Sequence, residues 1–136
     1  MSSATVELVR KLFDAMNRHD ESALLNLVHP EVDFASLIVE VEGGFRGHDG
    51  LRLYLRELFT TFPDFRIETV RVSPVHGGAL VKVRVRASGV ASGVSTDLTD
   101  WQALTLRDGR ADWWAFFRTE AEARAAIETR SRIGGR

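Results

Sequence analysis

At Pro63 the spacing of the apolar residues changes, and that change restricts the fold more than any other feature of the chain. Before it, apolar side chains recur every three or four residues; after it, they recur every second residue. Upstream, Val6, Val9, Leu12, Phe13 and Met16 predict a helix that Asn17, Arg18, His19 and Asp20 end. Asp20 is placed to cap a second, short helix with Ala23, Leu24, Leu27 and Val28 on one face, stopped by Pro30. Val32 to Val41 reads as a strand or hairpin closing at Gly43-Gly44. Gly47 then turns the chain into the clearest helix, from about Asp49 to Phe62. Its stripe is Leu51, Tyr54, Leu55, Leu58, Phe59 and Phe62, and Pro63 terminates it.

Downstream the reading is of strands. Phe65 to Pro74 is one, and His76-Gly77-Gly78 is a turn. In Ala79 to Ala87, Val81, Val83 and Val85 alternate with Lys82, Arg84 and Arg86. A turn region spans Gly89 to Ser95, a strand spans Asp97 to Leu106, and Arg107 to Arg110 is a hairpin turn. Ala111 to Phe117 is the last strand. Thr119 and Glu122 have capping-box spacing and open a final helix to about Arg130. One domain over 1–130 is expected, with 131–136 a disordered tail. Helices followed by a run of antiparallel strands argue for an α+β fold rather than a βαβ one. The last strand carries Trp114 and Phe116 on one face and Trp113, Ala115 and Phe117 on the other. Two apolar faces need two covers, and a second copy of the chain is the simplest second cover, so a homodimer is expected.

Composition excludes several functions. The 136 residues carry a formal net charge of −1, so no broad field gathers nucleic acid or anionic lipid. With no cysteine there is no disulfide, thiolate metal site or thiol nucleophile. His19, His29, His48 and His76 lack metal-ligand spacing, so no metal or other cofactor is expected. Nucleophile-elbow, phosphate-loop and dinucleotide motifs are absent. Lys82, Arg84 and Arg86 read as a solvated strand face. Met1 to Arg10 has no apolar leader core and no apolar run reaches membrane-spanning length, so a cytoplasmic chain is expected.

Several phrases fall in a familiar order: FDAMNRHD from Phe13, LVHPEVDF from Leu27, FRGHDG from Phe45, FPDF from Phe62, and LTLRDGR from Leu104 with Trp114 to Thr119 behind it. From about Val6 to Ala126 the chain resembles the nuclear-transport-factor-2-like superfamily, and within it the SnoaL-like branch of polyketide cyclases and ketosteroid-isomerase-like proteins. The resemblance implies a cone: a curved antiparallel sheet wrapped around the long helix, with N-terminal helices closing a pocket. It also implies frequent dimers.

Its isomerases use a carboxylate base with a phenol and a carboxylic acid as oxyanion donors. Ser36 stands at the base position here, Leu12 at the phenol position and Trp101 at the acid position, so steroid isomerisation is disfavoured. Its cyclases need an acid/base carboxylate. Asp100 is the leading candidate, with Glu40 and Asp97 behind it; the competing reading of Asp100 is an ordinary strand carboxylate in water. Alternation puts Asp100 and Trp101 on opposite faces unless a bulge intervenes. Tyr54, Trp101, Trp114, Glu40, Ser36, Phe13 and Met16 are the candidate ligand-binding residues, with core the stronger reading for Phe13 and Met16 because periodic helix positions pack.

The resulting expectation is a protein that binds or converts a small hydrophobic carbonyl-bearing metabolite by cofactor-free acid/base chemistry. The alternative is a non-catalytic binding or dimerisation module. An epoxide-hydrolase arrangement would have to join Asp97, Asp100 and Asp112 through Arg84 or Arg86.

Overall fold

Helices α1 (Ser2–Asn17) and α2 (Glu21–Leu27) form where the longer period places them. The computed structural model describes residues 2–35, 45–88 and 95–134. Asp20 caps α2, its carboxylate accepting from the Ala23 amide at 3.0 Å. Asn17 ties the end of α1 to the sheet: its amide donates to the Ile67 carbonyl at 2.9 Å and accepts from the Ile67 amide at 2.8 Å. Strand β1 (Val28–Ala35) starts before Pro30 rather than after it. It tolerates the proline because pairing with the neighbouring strand is irregular between Val28 and Asp33, so no regular ladder bond is lost there.

After β2 (Phe45–Arg46) comes the long helix α3 (Gly47–Thr61), followed by β3 (Arg66–Val75), β4 (Gly78–Ser88), β5 (Ser95–Arg107), β6 (Arg110–Phe117) and α4 (Glu120–Gly134). The Glu122 amide donates to the Thr119 hydroxyl at 3.1 Å, as the capping-box spacing anticipates, and α4 runs beyond Arg130 to Gly134. The expected hairpin from Val32 to Val41 falls partly outside the described residues. Its described part is β1, which pairs antiparallel with β2 through Asp33↔Arg46 and Phe34↔Phe45.

The strands form one open sheet in the order β2-β1-β6-β5-β4-β3. All neighbours are antiparallel except β1 and β6, which are parallel, so the sheet is mixed. With its helices it makes the α+β cone that the resemblance implied. A close approach holds β4 against β5: a Cβ on Gly78 would lie 1.9 Å from the Leu104 carbonyl oxygen, so only glycine fits.

Each face of the sheet has its own apolar cluster. Inside, Val81, Val83, Leu104 and Trp114 meet Leu12 and Phe13 of α1 and Leu51, Tyr54, Leu55 and Leu58 of α3. Outside, Leu80, Trp101 and Ala103 meet Ala123 and Ile127 of α4, with Trp113 and Phe117 partly buried against them. The second cover of the last strand is therefore α4 of the same chain. The two-sided pattern that suggested a homodimer does not by itself require a second copy.

The α3 stripe can be tested directly. Leu55 is fully buried and Leu53 is 59% exposed. Leu55→Ala should cost about 2–5 kcal/mol in urea unfolding. Leu53→Ala should stay within about 0.5 kcal/mol of the parent. Equal effects would contradict the packing of α3 described here.

Candidate functional site

Strand β5 reads Asp100-Trp101-Gln102-Ala103-Leu104, and its alternation decides which chemistry lies inside the cone. Leu104 belongs to the interior cluster, and Trp101 and Ala103 to the outer one. Gln102 and Asp100, two and four residues before Leu104, therefore face the interior. Unbroken pairing with β4 carries this through: Asp100 lies opposite Val83 and Gln102 opposite Val81, both interior valines. On the other side Gln102 lies opposite Phe116 of β6.

Both polar residues are cut off from water. Asp100 is 2% exposed and Gln102 0%. Among the described residues neither carboxylate oxygen of Asp100 has a hydrogen-bond partner, nor does Nε2 of Gln102. Oε1 of Gln102 accepts from the Trp114 indole N–H at 2.7 Å. Aromatic rings pack around that indole. Phe34 meets Trp114 edge-on at 5.0 Å and Tyr54 at 4.4 Å, and Phe13 lies 6.2 Å from Trp114. Burial, with no compensating cation, pushes the Asp100 carboxyl from its ordinary 3.8 up to about 7. Both protonation states are then populated near neutrality, as an acid/base group requires.

The structure separates the residues that the sequence grouped together. Tyr54, Trp114, Phe13 and Met16 are buried in the interior cluster. Trp101 is not with them. It lies in the outer cluster under α4, with the Arg71 guanidinium 5.4 Å from its ring centre. Trp101 and Trp114 cannot wall one pocket, because no bulge in β5 reverses the alternation between Asp100 and Leu104. Ser36 and Glu40 lie outside the described residues. Asp97 is on the exposed outer face, held by Arg84 through two contacts of 2.9 and 2.8 Å, and Arg86 pairs there with Glu68. With Asp97 outside and Asp100 inside, the epoxide-hydrolase arrangement is not assembled from these residues.

Gln102 is the residue that sequence reasoning missed. Its signal was available: it shares parity with Leu104 and Asp100, so an inward Asp100 implies an inward Gln102. The surface clefts differ in kind. One of about 520 Å³ is lined by Arg46, Arg107 and Arg130 with Glu31, Asp33 and Asp112, a charge-balanced set already joined by ion pairs. Among the described residues no group of three or more His, Asp or Glu is placed to hold a metal, and no helix is long and apolar enough to cross a membrane.

Known proteins share this architecture. The sequence profile of the SnoaL-like domain matches residues 9–114. No curated protein matches the chain. The chain is similar to the structure of a putative SnoaL-like polyketide cyclase from Jannaschia sp. CCS1, with a TM-score of 0.74 and 20% identity over 91% of this chain and 90% of that one. It is similar to an NTF2-like protein of unknown function from Burkholderia pseudomallei K96243, with a TM-score of 0.75 and 20% identity over 88% and 93% of the two chains. It is also similar to IdmH, a putative polyketide cyclase from Streptomyces antibioticus, with a TM-score of 0.72 and 16% identity over 91% and 98%. At such identities the likeness is one of fold.

The buried carboxyl makes stability depend on pH. Asp100 keeps its proton in the folded chain where the unfolded chain has lost it. Its contribution to stability is therefore full below about pH 4 and falls as pH rises through about 7. Relative to the parent, Asp100→Asn should gain stability between pH 4 and pH 8, by up to about 4 kcal/mol, at about 1.4 kcal/mol per pH unit. Urea unfolding at both pH values measures this. A constant difference would mean that Asp100 titrates as an ordinary surface carboxylate.

Proposed function

We propose that this chain, which belongs to the SnoaL-like domain family, takes up a small hydrophobic carbonyl compound and converts it by cofactor-free acid/base chemistry at Asp100. The observation that carries this reading is the Asp100 carboxyl: buried, without a hydrogen-bond partner, and titrating near neutrality. An ion without hydration or a partner is a stronger base than its counterpart in water, and its neutral form is a competent acid at the same pH. The apolar rings of Phe34, Trp114 and Phe116 on the same side suit a hydrophobic ligand.

The proposed step balances without a co-reactant. The Asp100 carboxylate takes a proton from a carbon next to the carbonyl. The C–H electron pair becomes the new C=C bond, and the carbonyl π pair moves onto oxygen to give an enolate. Where a C=C bond is conjugated with the enolate, its π pair takes the proton back from protonated Asp100 at the far carbon and the double bond moves one place toward the carbonyl, which is isomerisation. Alternatively the enolate carbon attacks a second carbonyl in the same molecule, and Asp100 protonates the resulting alkoxide, which closes a ring. Structures of this fold described as putative polyketide cyclases support the cyclase type.

The acid/base step can be tested before the substrate is known. Wild-type protein in D₂O should accelerate α-hydrogen exchange in a panel of aryl methyl ketones followed by NMR. The rate should rise with pH and level off above about 7. Asp100→Asn should slow exchange by about 10²–10⁴-fold while an apolar fluorescent probe still binds and quenches tryptophan emission. If the probe binds but Asp100→Asn exchanges as fast as wild type, a non-catalytic ligand-binding module replaces this reading.

A further inference from the structure

The acid/base reading leaves a second buried group unused. We propose that the Gln102 side-chain amide is a preset hydrogen-bond donor for the ligand's carbonyl oxygen and that Trp114 fixes its direction; this rests on Asp100 being the acid/base. An indole N–H can donate but not accept, so the Gln102 atom 2.7 Å from Trp114 Nε1 must be the amide oxygen. Reversing the amide would set N–H against N–H and leave the oxygen unpaired. The indole cannot readily move aside to permit this. Trp114 is fully buried, with Phe34 at 5.0 Å and Phe116 at 6.2 Å from its ring. Packing of one side chain thus sets the polarity of the next.

The consequence lies at the other end of the amide. Gln102 Nε2 carries two N–H groups, is buried with the rest of the residue, and has no partner. Asp100 faces the same way two residues earlier, about 7 Å along the strand, with both oxygens unpartnered. A directed donor beside an acid/base carboxyl complements a particular ligand. It offers an acceptor oxygen to Gln102 and an acidic C–H or O–H, a few Å from that oxygen, to Asp100. An enolisable ketone or aldehyde fits this description, whereas a pure hydrocarbon wastes both groups and an ammonium opposes the amide donor. As the proton passes to Asp100, negative charge grows on the oxygen that Gln102 faces, so the fixed donor favours the enolate over the ketone. Gln102 is then the ligand-contacting group, and Trp114 the positioning residue that acts through it.

A matched pair of probes tests this: 2-acetonaphthone and 2-ethylnaphthalene, which differ by one carbonyl in place of a methylene. Affinities are read from tryptophan quenching, and the ¹³C-labelled carbonyl stretch of the bound ketone by infrared spectroscopy. Wild type should bind the ketone about tenfold or more tightly than the hydrocarbon, the effect of one net hydrogen bond. The carbonyl band should lie below its position in hexane. Gln102→Leu, or Gln102→Met should leucine not fold, should abolish the preference, return the band to the hexane position and leave the hydrocarbon's affinity unchanged. Trp114→Phe removes the interior tryptophan and is therefore read from the carbonyl band of the bound ketone, which should move back toward its hexane position. Equal binding of both probes to wild type with a hexane-like band, or a preference that survives in Gln102→Met, overturns the donor role while Asp100 remains the acid/base. Failure of both probes to bind wild type overturns the underlying pocket reading instead.

Discussion

The β5–β6 ladder carries apolar side chains on both of its faces, and each face must be kept from water. That demand organises the chain. Helices α1, α2 and α3 bury the face with Leu104 and Trp114, while α4 buries the face with Trp101 and Ala103 through Ala123 and Ile127. Burying a large apolar side chain stabilises by about 1.5–3 kcal/mol, so the two covers together outweigh what any single polar group on the strand can cost. A carboxyl and an amide on β5 are consequently carried into dry surroundings by their neighbours.

Their burial is costly. An unpaired buried polar atom destabilises by about 1–3 kcal/mol, and Asp100 and Gln102 present three of them. The carboxyl reduces its share by holding its proton, which its raised ionisation range reflects. Rigidity accompanies the cost. β5 is paired on both sides, to β4 and to β6, so Asp100 and Gln102 are set by two ladders rather than carried on a loop. A strand interior holds a reacting group in place better than a surface segment does.

Asp97 shows what the same residue type does three positions away. An odd separation puts it on the opposite face, where a hydrogen-bonded Arg84 holds its carboxyl below the usual carboxylate range. Exposed pairs of this kind add little stability. One aspartate is a solvated partner of an arginine and the other a neutralised group in an apolar interior, and the pleat of a single strand separates them. The outer charges of Lys82, Arg84 and Arg86 follow the same parity, which is why that row carries no sign of a buried site.

Period alone was enough to place α1, α2, α3 and the strands after Pro63, because helical and strand burial leave different spacings in the sequence. Alternation also established that Asp100 and Trp101 face opposite ways. It could not say which of them faces in, since β5 has apolar residues in both parities: Leu98 and Leu104 in one, Trp101 and Ala103 in the other. Choosing Trp101 as a pocket wall was a choice of face, and nothing local decides a face. The helices decide it by where they dock. The parallel pairing of β1 with β6 joins segments far apart in the chain, and among the described residues the cover supplied by α4 rests on Ala123 and Ile127, too faint a pattern to announce a partner. Local spacing is written in the sequence because each turn or pleat repeats it; the identity of the inner face is a property of long-range packing and exists only once the helices have closed on the sheet.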